Sequence, residues 1–154
     1  MDNDLIKILL VDDDDDDHVI IRNLLSEIEG WHFDLEWVDT YDVALERIRQ
    51  QEHDVYLLDY RLGARTGLDL LCESLELGCE APMILLTGQG DREVDMEAMK
   101  VGAQDYLNKN NINSTSLERS IRYAIERHKK KLKRSIRYAI ERRKKQADQL
   151  QELH

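Results

Sequence analysis

Two runs, Ile8-Leu9-Leu10-Val11 and Met83-Ile84-Leu85-Leu86, set four large apolar side chains in a row with no polar residue between them. A strand turns successive side chains to opposite faces, so it can be apolar throughout only where both faces are covered. The stretches between and beyond these runs carry helical spacing instead. His18–Glu29 brings Val19, Ile20, Ile21, Leu24, Leu25 and Ile28 largely to one side, and Tyr41–Gln51 does so with Val43, Ala44, Leu45 and Ile48 behind Thr40 as N-cap. Gly67–Leu77 and Arg92–Val101 are further helices. Strands are predicted at Leu5–Val11, Phe33–Val38, Asp54–Leu58, Pro82–Leu86 and Asp105–Leu107. Five alternations of strand and helix predict an α/β domain, a parallel sheet with helices on both faces.

The chain has 154 residues, enough for one domain with a proper core. No apolar run approaches the ~18 residues of a membrane span. The N-terminus, Met1-Asp2-Asn3-Asp4, is acidic where a signal peptide is basic, so a cytoplasmic protein is expected. Cys72 and Cys79 show neither metal-type pairing nor a disulfide framework, and read as two reduced thiols. The net charge of −10 divides unevenly: residues 1–118 carry −19 and residues 119–154 carry +9. An acidic body repels phosphate, so nucleic acid is not the expected partner. It suits a carboxylate-lined cation site.

In a parallel sheet the C-terminal strand ends share one edge, and ligands bind in the crevice there. The sequence delivers Asp12 and Asp13 to that edge after the first strand, Asp59 after the third, Thr87 after the fourth and Lys109 after the fifth. Clustered carboxylates need a cation, and oxygen-only ligands suit a hard ion such as Mg²⁺. A lysine and a hydroxyl beside it fit a phosphoryl group. The chemistry implied is attack of a carboxylate on phosphorus, giving an aspartyl-phosphate.

The segments Ile8-Leu9-Leu10-Val11-Asp12-Asp13, Leu57-Leu58-Asp59, Leu85-Leu86-Thr87-Gly88 and Asp105-Tyr106-Leu107-Asn108-Lys109 resemble, in this order, the response-regulator receiver domain of two-component signalling. The resemblance covers residues 5 to about 128 and implies a flavodoxin-like five-stranded sheet of order 2-1-3-4-5. It implies Asp59 as phosphoacceptor, and Mg²⁺ ligated by Asp13, Asp59 and the backbone carbonyl of Arg61, with Asp12 acting through water. Thr87 would bond a phosphoryl oxygen with the Gly88 amide nearby. Lys109 would pair with the phosphoryl group, and Tyr106 would turn inward on activation. The donor would be a histidine kinase or a phosphotransfer protein, and the module would be a signalling domain rather than an enzyme. Two departures stand out. Asn110 follows Lys109 where the family has a cis proline, so a trans peptide is expected. Tyr60-Arg61-Leu62-Gly63 replaces the common Met-Pro after the acceptor.

Other residues have plainer readings. Asp14–Asp17 are surface acids suited to the start of the next helix. His18 and His53 are surface residues, Trp31 and Trp37 pack, and Arg61 and Arg65 flank the site where a kinase could touch them. A Mg²⁺-dependent phosphohydrolase with an aspartyl nucleophile is the alternative from another class. There Asp12 would be the nucleophile in Asp12-Asp13-Asp14, but Asp16 stands where such enzymes have Thr, and no substrate cap is evident. A dimeriser without phosphorylation is a third, opposed by the complete residue set.

Thr115-Ser116-Leu117-Glu118 has capping-box spacing and opens a long final helix. Within it Arg119-Ser120-Ile121-Arg122-Tyr123-Ala124-Ile125-Glu126-Arg127 recurs unchanged as Arg134-Ser135-Ile136-Arg137-Tyr138-Ala139-Ile140-Glu141-Arg142, a period of 15 residues. Residues 1–128 are expected to form the receiver and 129–154 a helical extension. The extension can be a solvated basic helix, a basic surface for nucleic acid or anionic membrane, or a coiled-coil signalling helix. Ile121, Ile125, Leu132, Ile136, Ile140, Leu150 and Leu153 favour the last, and with it a homodimer.

Overall fold

The structure, a computed structural model, describes residues 5–152. Leu153 of the apolar stripe lies outside them. In chain order the elements are β1 (Leu5–Val11), α1 (Asp15–Ser26), β2 (His32–Val38), α2 (Tyr41–Arg49), β3 (Val55–Asp59), β4 (Arg61–Leu62), β5 (Arg65–Thr66), α3 (Gly67–Glu76), β6 (Met83–Thr87), α4 (Arg92–Val101), β7 (Asp105–Asn108) and α5 (Ser114–Glu152). The main sheet has the order β2-β1-β3-β6-β7, and every pair in it is parallel. With the small hairpin β4–β5 set aside, this is the expected order 2-1-3-4-5.

Alternation along the strands explains the unbroken apolar runs. Leu9, Val11, Tyr56, Leu58, Met83 and Leu85 face α2, α3 and α4, where Ala44, Ile48, Leu70, Leu71 and Ala98 are buried against them. Ile6, Ile8, Leu10, Val55, Leu57, Ile84 and Leu86 face α1 and α5, meeting Ile21, Leu25, Leu117, Ile121 and Ala124. Two cores on one sheet leave no face for a polar residue.

Several boundaries differ from expectation. α1 starts at Asp15, three residues before His18, because Asp14 caps it by accepting from the Asp16 amide. Asp15, Asp16 and Asp17 therefore form its first turn, where the helix dipole favours negative charge. The segment after Asp59 is a hairpin, with Leu62 paired to Arg65 across Gly63 and Ala64. Gly63 has φ +78°, the conformation a two-residue hairpin turn needs at its first central position. α5 does not use the Thr115–Glu118 box. Asn113 caps it, with Oδ1 accepting from the Ser116 amide at 2.8 Å while Ser116 Oγ accepts from the Asn113 amide at 3.1 Å. Thr115 already lies inside the helix, and Glu118 pairs with Arg122 one turn on at 2.9 Å.

Among the described residues every peptide bond is trans, Lys109–Asn110 included. Asn108 closes that loop instead: its side chain accepts from the Asn110 amide at 2.8 Å and its carbonyl from the Asn111 amide at 3.2 Å. His53, expected at the surface, is buried, bonded to Glu36 at 2.9 Å and tilted on the Tyr56 ring.

α5 is one helix of 39 residues, about 58 Å long. It covers the sheet through Leu117, two residues before the first copy of the repeat, and through Ser120, Ile121 and Ala124 within it, and Ser120 Oγ donates to Asp105 Oδ2 of β7 at 2.7 Å. The equivalent positions Leu132, Ser135, Ile136 and Ala139 are exposed, as is every residue from Lys129 to Glu152. No helix among the described residues is long and apolar enough to cross a membrane.

Candidate functional site

β3 ends on Asp59, which is buried at the C-terminal edge of the sheet. Gly67, at the start of α3, makes room for it. The Gly67 amide donates to the Tyr60 carbonyl at 2.8 Å, and a Cβ there would fall 2.2 Å from the Asp59 carbonyl oxygen. Only glycine permits that approach. β1 ends beside it, with Asp12 fully buried. Trp37 Nε1 donates to the Asp12 carbonyl at 2.8 Å, and His18 stacks on the Trp37 ring with centroids 4.5 Å apart. Trp37 thus packs as expected and also pins the backbone of a site residue.

Lys109 follows β7, its amide donating to the Thr87 carbonyl at 2.8 Å. Its Nζ lies 2.9 Å from Asp59 Oδ1, 3.0 Å from Asp12 Oδ2 and 2.5 Å from Asp17 Oδ2. The Asp17 contact has hydrogen-bond geometry. Asp12 Oδ1 accepts from the Asp14 amide at 2.9 Å, whereas the buried Asp12 Oδ2 is near the ammonium but aligned with no donor.

Asp12, Asp17 and Asp59 bring one oxygen each to within 4.8 Å of one another. Burial, opposed by the Asp14 amide and reinforced by the Asp59 charge, pushes the Asp12 carboxyl up to about 7. Burial also raises Asp59, against the downward pull of Lys109. For Lys109, burial alone would favour the neutral amine, but the three carboxylates outweigh it and hold the ammonium above its ordinary range. Three carboxylates on one ammonium leave an excess of negative charge.

The expected residues are not all placed alike. Asp12, Asp59 and Lys109 converge. Asp13 is exposed and outside the group of three, while Asp17, read from the sequence as a surface acid, stands within it. The early start of α1 explains this, since its first turn carries Asp17 back over the end of β1. Asp14 and Asp17 at helix-start spacing are the signal that was there to find it.

Thr87 is buried at the end of β6, but its hydroxyl donates to Asp95 Oδ1 of α4 at 2.8 Å. The Gly88 amide donates to Asp91 Oδ2 at 2.8 Å, and an Arg61 guanidinium nitrogen lies 3.2 Å from Asp91 Oδ1. Asp91 and Asp95 are both buried, and neither was singled out from the sequence. Arg65 turns elsewhere, stacking on Tyr41 at 3.7 Å and pairing with Glu73 at 3.1 Å. Tyr106 is exposed on β7.

Oxygen-only donors, excess negative charge and an orphaned buried carboxylate oxygen together fit a hard divalent cation. An ammonium facing an acidic residue at the end of a parallel strand fits phosphoryl chemistry.

Comparison with known proteins agrees. Residues 8–122, more than half of the chain, match the family described as response regulator receiver domain. The transcriptional regulatory protein ZraR of Escherichia coli is 34% identical over 107 residues, 70% of this chain and 24% of that protein. A protein-glutamate methylesterase/protein-glutamine glutaminase of Methylobacillus flagellatus is 35% identical over 109 residues, 68% of this chain and 29% of that protein. The chain thus spans about a quarter to a third of these relatives' length, and the second of them is named as an enzyme. Among solved structures, a CheY-like receiver domain protein from Methanospirillum hungatei superposes with a TM-score of 0.71 at 26% identity, over 83% of this chain and 99% of that one. Matches of this kind do not favour the phosphohydrolase alternative. The chain belongs to the response regulator receiver domain family.

Proposed function

We propose that this chain takes a phosphoryl group onto Asp59 from a histidine kinase or phosphotransfer protein, and that the modified state changes what its surface binds. The observation that carries the reading is the buried Asp59 carboxylate 2.9 Å from the Lys109 ammonium, beside Asp12 at a shared sheet edge. An Asp59 oxygen attacks phosphorus, a new P–O bond forms, and the bond to the donor's leaving group breaks. Lys109 offsets charge on the phosphoryl oxygens. The Thr87 hydroxyl and Gly88 amide are the nearby donors for those oxygens, and Tyr106 is the aromatic that follows Thr87 inward.

Mg²⁺, when bound, supplies charge neutralisation between carboxylates and phosphoryl group. Asp12 and Asp59 would hold it, with Asp17 or Asp13 and the Arg61 carbonyl completing the oxygen set. Incubation with acetyl phosphate and Mg²⁺ should add one phosphoryl mass to the intact chain, with none on Asp59→Asn and none without Mg²⁺. Acid-stable labelling of Asp59→Asn equal to wild type would end the assignment. Turnover of a small phosphate ester that needs Asp12 and not Asp59 would restore the hydrolase.

The division into a receiver at 1–128 and an extension at 129–154 is supported by burial, which ends on α5 near His128. The extension's exposed Leu132, Ile136, Ile140 and Leu150 support pairing with a second chain as a homodimer. The acidic body supports protein partners rather than nucleic acid, and no membrane role. Free Cys72 and Cys79 accord with a cytoplasmic setting.

A further inference from the structure

Two donors stand at the end of β6, on the sheet edge that also carries Asp59: the Thr87 hydroxyl and the Gly88 amide. Each has a single hydrogen to give. Both are already engaged, and both acceptors belong to the start of α4. Thr87 Oγ1 donates to Asp95 Oδ1 and the Gly88 amide to Asp91 Oδ2, each at 2.8 Å. Asp91 and Asp95 stand one helical turn apart, and each is less than a tenth exposed. Asp91 is the residue that precedes α4, yet it makes no side-chain cap bond to that helix. Its carboxylate is spent on Gly88 and Arg61 instead.

We infer that Asp95 is a positioning residue for Thr87: it holds the hydroxyl on α4 and must release it before a phosphoryl group on Asp59 can be bound fully. The inference rests on Asp59 being the phosphoacceptor. A hydroxyl with one hydrogen cannot serve Asp95 and a phosphoryl oxygen together. Taking it away leaves a buried carboxylate without its donor, a costly state unless water reaches it. Water reaches Asp95 when the first turn of α4 moves outward, and Asp91 makes the same demand through Gly88. The phosphoryl group and α4 thus compete for the same hydrogens. α4 carries Met96 and Met99 on its exposed side, so its movement alters an apolar surface.

The test uses the full chain and beryllofluoride with Mg²⁺ as the phosphoryl mimic. Asp95→Ala should bind it about tenfold more tightly than wild type, because no acceptor competes for the hydroxyl. Asp95→Asn, which keeps the shape and weakens the acceptor, should fall between them and serves if Asp95→Ala does not fold. In a Thr87→Val background the same Asp95 changes should leave the affinity unaltered within about twofold. A residue that merely supports α4 would lower the melting temperature without this dependence on Thr87. Amide exchange across Arg92–Val101 should rise when wild type binds the mimic. Unchanged or weaker binding by Asp95→Ala and Asp95→Asn, or an effect that persists with Thr87→Val, overturns the inference. Failure of wild type to bind the mimic at all overturns the phosphoacceptor reading beneath it.

Discussion

Asp12 Oδ2 is a buried carboxylate oxygen with no aligned donor, held among like charges. The one ammonium beside it, at 3.0 Å, is shared with Asp17 and Asp59, so without a further cation such an oxygen costs stability. Asp12→Asn should therefore raise the thermal midpoint of the metal-free chain by a few degrees, about 1 kcal/mol for a domain of this size, and abolish the further rise that Mg²⁺ gives wild type. Equal midpoints with and without the substitution would mean that water satisfies the oxygen. Asp17, which stands in the carboxylate group, and Asp13, which does not, are the two candidates for a further Mg²⁺ ligand, and Mg²⁺ titration separates them. If the resting geometry is the binding geometry, Asp17→Asn should weaken Mg²⁺ about tenfold and Asp13→Asn little. The reverse ranking would show that Asp13 turns inward on binding.

At the scale of elements, the ends matter more than the middles. Asn113 and Ser116 satisfy two amides where α5 begins, so Asn113→Ala should cost about 1 kcal/mol in chemical denaturation. Thr115→Ala, the change that capping-box spacing would have singled out, should cost less. The strands and helices were legible because apolar period and length set them, and the four wholly apolar positions of β1 and β6 allowed no other placement. The hairpin β4–β5 was not legible, since two-residue strands have no period and depend on Gly63 and on docking beside the site. His53 was misread for a related reason. A lone histidine carries no pattern, and its burial comes from its bond to Glu36, 17 residues back in the chain, and from the Tyr56 ring. At the site, Asp12, Asp59, Thr87 and Lys109 were legible from strand ends, whereas Asp17, Asp91 and Asp95 depend on where a helix starts and which way it faces.

The whole molecule is an acidic domain on a basic rod. Residues 129–154 carry ten Lys and Arg against three Asp and Glu. Two such rods laid together repel until salt screens them, at a Debye length of about 10 Å in 0.1 M salt. Homodimerisation through the extension should strengthen as salt rises and vanish on truncation after Lys129, leaving a monomer that still takes up phosphate. A monomer at high micromolar concentration and high salt would return the extension to a solvated helix.

The repeat has a geometric consequence of its own. Fifteen residues exceed four turns, so the second set of sheet-covering side chains stands about 22 Å along the helix and about 60° around it from the first. A receiver of this size has a radius of gyration of about 14 Å and so a diameter of about 36 Å. Two receivers seated on both copies of one straight helix would occupy the same space. Were a sheet to close over the second copy, the first would have to stand vacant.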